Sequence, residues 1–419
     1  MSGFSEIHVV GAGLAGLAAS LRLAEAGLTV ALHEAAPQAG GRCRSYFDAG
    51  LGCRIDNGNH LLVAGNRAAM DYLAMIGAAD SLVGPSEPRY DFLDLATGER
   101  WQFRPNRGRV PWWLLRRDRR ISGTRLTDYR HALRLGRAGP DDRVGDLLTP
   151  DTTIYRRLWA PLATAALNTE PAAGSAMLLG RVLRETFGAG GAACRPLVPC
   201  EGLSESLIEP ALATLRRKGV TVRFGARLRA VDAEGDRVSR LRFEEGDVAL
   251  GPGQGIVLAL PAAVAARLLP GITAPDQFRA ILNAHFRIAI EATAPLFVGV
   301  IGGTAEWVFR KREVLSVTIS AADRFMDQPA EELAPLLWAD VCRAYGLGGA
   351  AMPAWQIVKE RRATFAATPE QQKRRPKAAT RWRNLALAGD WVDTGLPATV
   401  EGALRSGFAA AEILGGKKP

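Results

Sequence analysis

A chain of 419 residues that is 47% hydrophobic and 23% charged carries enough apolar material for more than one domain-sized core. Its formal net charge of +10 points to a polyanionic partner, yet the surplus is local. Twelve arginines, no lysine and only two acids, Asp118 and Asp128, lie between Arg100 and Arg137. A nucleic-acid surface would spread its basic residues more widely, so nucleic acid is not an expected partner. Five widely spaced cysteines without a CxxC argue against a disulfide framework or a zinc site, and no metal is expected.

The chain opens on EIHVV, which predicts a strand, then LAGLAASLRLAEAG, a helix ending at Gly27, then LTVALHE, a second strand. Residues 6–34 thus read as one βαβ unit. Gly11, Gly13 and Gly16 stand in G-x-G-x-x-G spacing at the first turn. The first glycine permits the tight turn, the second lets a pyrophosphate approach the backbone, and the third lets helix pack on strand. The helix start offers free N–H groups to phosphate. Glu34 closes the second strand, where a carboxylate can accept both ribose hydroxyls. The bland alternative is a structural glycine turn with a surface Glu. Directly after Glu34, AAPQAGGRCRS supplies Gly40, Gly41 and Arg42, a second loop suited to a longer dinucleotide; this favours FAD over NAD. No cleavable apolar segment opens the sequence, and the best apolar run, GIVLALPAAVAARLLP, is broken by Pro261 and Arg267. A cytoplasmic protein that does not span a membrane is expected.

Residues 85–195 are rich in Arg, Trp and Pro, with helical stretches such as SAMLLGRVLRETF. Residues 203–218 predict a helix, the following VTVRFGARLRAVDAEGDRVSRLRFEE alternates like strands joined by a turn, and GIVLALP reads as a buried strand. Residues 275–380 mix strands such as VLSVTIS with helices such as AEELAPLLWADVCRAYG. At the end, a strand stops at Gly389, Asp390 can hold a sugar-alcohol hydroxyl, and a helix begins near Thr399 and Val400. Its N-terminus suits the negative charge of a reduced flavin ring.

These motifs carry a resemblance. GAGLAG…E…GGR with a C-terminal AGD…LPATVEGALRSG resembles the FAD-dependent amine oxidase and phytoene desaturase superfamily. IDNGNHLLVAGNRAAMDYLAMIGA, PLATAALNTEPAAGSAMLLGRVLRET and NLALAGDWVDTGLPATVEGA are similar to hydroxysqualene dehydroxylases, over essentially the whole chain. The resemblance implies an α/β (α+β overall) flavoprotein. Its Rossmann-like FAD domain (1–85, 196–270 and 381–419) is interrupted by a mixed sheet-and-helix substrate domain (86–195 and 271–380). It implies FAD contacts at Gly11, Gly13, Gly16, Glu34, Gly41, Arg42, Gly58, Gly389, Asp390, Thr399 and Val400, and a backbone contact to adenine at Leu228. One departure is visible: LVPCEGLSE has a single glycine, Gly202, where relatives often have two.

The implied reaction is reductive removal of the hydroxyl of hydroxysqualene to give squalene, with hydride passing from N5 of reduced flavin to an allylic cation. His60 is the first candidate acid, because imidazole titrates near neutrality; a loop-capping role is its alternative. Asn168 and Thr169 of LNTE are candidates for the substrate hydroxyl, or else cap a helix. Trp391 is placed beside flavin and substrate, with core packing as its alternative. A carotenoid-type desaturase and a non-catalytic prenyl-lipid carrier are the rival functions. What reduces the flavin is not legible.

RVPWWLLRRDRRISG, residues 109–123, fits this picture. If Pro111 starts a helix, Trp112, Trp113, Leu114 and Leu115 point all around its axis, leaving apolarity at one end and charge at the other. Such a piece can dock end-on on an anionic membrane, the indoles at headgroup level and Arg116 and Arg117 reaching phosphates. A buried Trp pair with solvated arginines is the alternative.

Overall fold

A computed structural model describes residues 3–416. The opening unit forms β1 (Glu6–Val10), α1 (Leu14–Glu25) and β2 (Thr29–Glu34), with β1 and β2 parallel from Glu6↔Thr29 to Val10↔His33. Three further parallel strands complete this sheet, in the order Thr221–Phe224, β2, β1, Gln254–Leu258, Leu385–Leu387. Its central strands are buried on both faces: one packs on α1 and the helices Glu209–Arg217 and Val400–Gly415, the other on the three-stranded antiparallel sheet of Leu228–Glu234, Arg237–Phe243 and Gly246–Ala249. α1 is buried almost all round, since the C-terminal helix Val400–Gly415 lies on it; a Cβ at Gly407 would overlap the Ala15 carbonyl, so the two helices touch backbone to backbone. The chain leaves β1 towards opposite sides of the sheet. That switch point, outside the carboxyl ends of the strands, is where such sheets bind ligands.

The second large sheet has seven strands, in the order Trp355–Phe365, Phe278–Arg287, Val314–Ile319, Trp307–Arg310, Phe297–Ile301, Tyr90–Asp94, Arg100–Phe103. All neighbours are antiparallel except Phe297–Ile301 with Tyr90–Asp94. Period-two alternation gives it two different faces. Leu282, Ala284, Phe286, Val298, Val308, Leu315 and Val317 pack with Leu333, Leu337 and Val341 of the helix Ala330–Tyr345. The opposite face is in two parts. Tyr90, Phe92, Trp101, Phe103, Phe297, Trp307 and Phe309 form one run of ring contacts, with centroids 5.4–6.1 Å apart. Registers Phe309↔Ser316, Trp307↔Thr318, Asn283↔Thr318 and His285↔Ser316 set a polar patch beside those rings.

The arginine-rich segment does not present its two tryptophans together. Trp112–Leu115 is a single 3₁₀ turn entered through Pro111. With three residues per turn, neighbours point about 120° apart. Trp113 is 6% exposed and packs edge-on against Phe103 and Tyr129, which removes it from the expected membrane contact. Trp112 is 44% exposed beneath the Arg119 guanidinium, flanked by Val110 at 73% and Leu115 at 74%. Arg116 and Arg117 are exposed, Arg116 in an ion pair with Asp118 at 3.1 Å. Among the described residues no helix is long and apolar enough to cross a membrane.

Candidate active site

The glycine turn after β1 has the shape a dinucleotide needs. Gly11 adopts φ +106°, and a Cβ there would overlap the Ala259 carbonyl; at Gly16 one would overlap the Gly11 carbonyl. Both glycines are therefore demanded by the fold. Gly13 is different: a Cβ there meets nothing within 4 Å, so the space above it is open to a ligand. The second glycine loop closes on the first. Gly40 N donates to Ala12 O at 2.8 Å, and the Cβ position of Gly41 lies 3.7 Å from Gly13 Cα.

Glu34 sits beside this turn. Its Oε2 accepts from Ala12 N at 2.7 Å and its Oε1 from Ala36 N at 2.8 Å. Two backbone bonds fix the carboxylate while leaving further lone pairs for ribose hydroxyls. Leu228 opens the strand Leu228–Glu234, and just before it Ala226 N donates to Glu34 O at 2.9 Å. Glu34 and Leu228, the residues expected on the adenosine side, thus lie at one edge.

The other end of the site joins distant segments. Arg42 donates to Asp390 at 2.7 Å, and the carboxylate holds the guanidinium more firmly protonated than usual. Gly389, at φ +144°, donates to Ser406 Oγ at 2.8 Å. Thr399 caps the final helix by accepting from Gly402 N at 3.0 Å, so the free amides around Val400 face the Asp390 segment's end of the site. No motif in the sequence marks what holds the 390–396 loop in place. Arg375 is buried inside it and donates to the carbonyls of Asp390, Trp391, Val392 and Leu396 at 2.6–3.2 Å. Its burial pushes the guanidinium down to about 10. An open cradle at Gly13, a fixed carboxylate at Glu34, and a helix N-terminus beside Asp390 suit FAD: pyrophosphate, ribose and an anionic ring each meet a matching group.

Between this site and the polar patch of the second sheet runs the loop Asn57–His60. Asn57 Nδ2 reaches Arg42 O at 3.4 Å, and a Cβ at Gly58 would lie 3.0 Å from Asn283 Nδ2. Asn59 Nδ2 donates to Ser316 Oγ at 2.7 Å and to Thr318 Oγ1 at 2.9 Å. Thr318 Oγ1 donates to Asn283 Oδ1 at 2.7 Å, and Ser316 Oγ meets His285 Nδ1 at 2.8 Å. Asn59 Oδ1 is buried with no partner, an acceptor left free beside this cluster. The cluster was invisible in sequence because its members come from three separate segments.

His60 lies in the same loop, half-buried, and burial lowers its imidazole to about 4 despite the pull of Asp56. It is neutral at pH 7 and has no proton of an imidazolium to give, which corrects the expectation that it titrates near neutrality. Asn168 and Thr169 also have other tasks. Asn168 ends the helix Ala160–Leu167 in the left-handed region, donates to Thr364 Oγ1 at 2.9 Å and accepts from Ala321 N at 2.7 Å. Thr169 is fully buried between Leu167 O and Ala367 N. Trp391 is 2% exposed, its indole donating to Leu260 O at 2.8 Å, so it backs the site as packing. The three side chains have spent their polar atoms on the fold.

The lone Gly202 is explained by closeness: a Cβ there would crowd Ser45 Oγ and the Glu205 carboxylate. Behind it, buried Asp56 accepts from Ser45 Oγ at 2.5 Å and Leu203 N at 2.9 Å and is paired with Lys311, whose charge helps hold the carboxyl below its usual range against burial.

Comparison with known proteins agrees with this geometry. The family of flavin containing amine oxidoreductases matches residues 14–294 and 301–414. The chain is 52% identical to hydroxysqualene dehydroxylase of Rhodopseudomonas palustris, covering 97% of this chain and 98% of that protein. It is 48% identical to hydroxysqualene dehydroxylase of Sinorhizobium fredii, covering 97% of each. In fold it is similar to cyclohexylamine oxidase from Brevibacterium oxydans, with a TM-score of 0.71 at 17% identity and 99% of both chains covered. The chain belongs to the flavin containing amine oxidoreductases and, within them, to the hydroxysqualene dehydroxylases.

Proposed function

We propose that this FAD-dependent oxidoreductase reductively removes the hydroxyl of hydroxysqualene to give squalene. The observation that carries the reading is a run of aromatic side chains beside a small polar patch, which the loop Asn57–His60 joins to Arg42. A C30 hydrocarbon with one hydroxyl is complementary to that surface: rings for the chain, hydrogen bonds for the oxygen. Reduced FAD supplies a hydride at N5 when bound.

The protein's own residues bind, orient and dry the site. Gly13 and the α1 amides would hold pyrophosphate, Glu34 the ribose, Asp390 and the Val400 helix start the flavin end. Arg42, Gly41, Gly58, Gly389, Thr399 and Leu228 frame the same cleft. Asn59 offers the free acceptor for the substrate O–H, and neutral His60 beside it can donate one hydrogen bond. The rings exclude water from a carbon that becomes electron-poor as oxygen leaves. The division into a cofactor half (1–85, 196–270, 381–419) and a substrate half (86–195, 271–380) belongs to this reading and is supported by the two separate sheets.

A water-insoluble substrate has to be collected from a bilayer. Val110, Trp112 and Leu115, exposed among arginines that include Arg116 and Arg117, form an apolar tip in a basic collar suited to an anionic membrane surface. A cytoplasmic, peripherally membrane-associated enzyme is therefore the reading, with an unidentified electron donor.

Anaerobic mixing of pre-reduced holoenzyme with hydroxysqualene, followed by mass spectrometry, tests it. Squalene with recovery of the oxidised flavin absorbance is expected. No recovery, with desaturation of a polyene by the oxidised enzyme instead, would favour the desaturase; a purified protein that stays colourless with added FAD would favour the lipid carrier.

A further inference from the structure

A half-buried carboxyl group at the end of the seven-stranded sheet has no part in cofactor binding. Glu306 directly precedes Trp307, and its Oε2 accepts from Ser320 N at 2.7 Å. Trp307 pairs with Thr318, so Glu306 is level with Ile319, and its carboxyl is held by the Ser320 amide, two residues beyond Thr318. Asn59 reaches Ser316 and Thr318 of the same strand. The carboxyl is thus tied to the end of the strand that carries the polar patch, next to Ala321, which is bonded to Asn168 at the end of the helix Ala160–Leu167.

A second observation marks the same place. Among the described residues three non-glycine positions have a left-handed backbone: Asp151, Asn168 at φ 47° and Ala321 at φ 46°. Asn168 and Ala321 are hydrogen-bonded to each other, and Ala321 follows the Ser320 that holds Glu306. An alanine in this region is disfavoured by its Cβ, and such positions persist where a site over-determines the backbone. Burial also moves Glu306 up to about 7, with the Ser320 amide and the Arg324 guanidinium only partly opposing it. Arg324 comes from the turn Ala322–Phe325, while the helix side contributes the uncharged Asn168. At neutral pH a large share of Glu306 keeps its proton, whereas His60 does not have one to spare.

We propose that Glu306 is the general acid that protonates the departing hydroxyl of an allylic alcohol lying along the aromatic wall. The proposal rests on the dehydroxylase reading. The carboxyl proton passes to the hydroxyl oxygen, the C–O bond breaks with both electrons leaving on oxygen, and water departs. The resulting cation, delocalised over the neighbouring double bond, accepts a hydride with its electron pair from two-electron-reduced flavin. Carbon is reduced and flavin oxidised; the anionic reduced flavin gives up only its hydride, and the carboxylate regains its proton from solvent. Alcohol, anionic reduced flavin and one proton give hydrocarbon, water and oxidised flavin.

Glu306→Gln in the holoenzyme keeps the hydrogen bond to Ser320 possible and removes the proton. In anaerobic single turnover with hydroxysqualene it is expected to slow flavin reoxidation at least about 100-fold. With the acetate ester of the same alcohol, whose leaving group departs without a proton, the Gln variant is expected within about threefold of wild type. Infrared difference spectra of wild type against Gln variant should show the carbonyl stretch of an un-ionised carboxylic acid at pH 6 that fades by pH 8, whether or not substrate is present. Wild-type-like turnover of the alcohol by Glu306→Gln, equal loss with alcohol and ester, or absence of the infrared band would each overturn the acid assignment. A wild-type enzyme inert towards both alcohol and ester, its infrared band present, would instead overturn the dehydroxylase reading.

Discussion

Arg42 and Asp390, 348 positions apart in sequence, meet at 2.7 Å and tie the second glycine loop to the C-terminal loop. Neither residue reaches the site without the other's segment in place. Asp390→Asn removes the charge while keeping the shape. A charge-assisted hydrogen bond contributes about 1.5–3 kcal/mol, so FAD is expected to bind at least about tenfold more weakly. Flavin fluorescence titration measures this, and an unchanged Kd would take the pair out of the cofactor site.

The three glycines of the first turn should separate into two classes. Gly11→Ala and Gly16→Ala place a Cβ on a backbone carbonyl, so both should lower the melting temperature of the apoprotein. Gly13→Ala meets nothing in the protein and should leave apoprotein melting within a degree or two while weakening FAD, because the methyl occupies pyrophosphate space. Equal destabilisation by all three would contradict this division.

Acid should weaken the fold through its buried histidines. His33, His60 and His285 are each lowered to about 4, chiefly by burial. Their unfolded values are near 6.5, so between pH 6.5 and 4 the unfolded chain binds more protons than the folded one. Stability is full above that window and is lost as pH falls through it, by about 1.4 kcal/mol per pH unit for each histidine at the steepest. Urea midpoints at pH 7.5 and 5.0 should differ clearly, and His33→Asn should shrink the gap. A midpoint independent of pH across this range would show that these imidazoles are not held neutral.

Membrane docking makes a prediction that turns on two neighbouring residues. Trp112→Ser with Leu115→Ser should reduce co-sedimentation with vesicles of anionic phospholipid and leave melting nearly unchanged, since both side chains are exposed. Trp113→Ser should do the reverse, costing about 3 kcal/mol or more of stability because it empties a site between Phe103 and Tyr129. Undiminished vesicle binding by the double variant would detach the tip from the membrane.

The βαβ turn and the C-terminal helix start were legible because their signals are local. A glycine triplet, a carboxylate at a strand end and a capped helix start each fit within a short window, and backbone geometry ties their spacing to their shape. The substrate half was less legible for the opposite reason. Asn168 and Thr169 stand in a conspicuous motif, yet their side chains are consumed by Thr364, Ala321 and Ala367, residues about 150–200 positions away. Arg375 carries no motif at all and holds the C-terminal loop from inside.

A glycine-rich βαβ unit near the start, a strand-and-helix segment near the end and one strongly basic stretch are written in the sequence itself. Those properties depend on periodicity, glycine and charge, which are carried residue by residue. Which tryptophan faces water, which polar atoms remain free, and that Glu306 is half-buried while Asn59 keeps an unpaired oxygen follow only from the folded chain. Burial and hydrogen-bond satisfaction are sums over neighbours from distant segments, and they exist only once the sheets have paired.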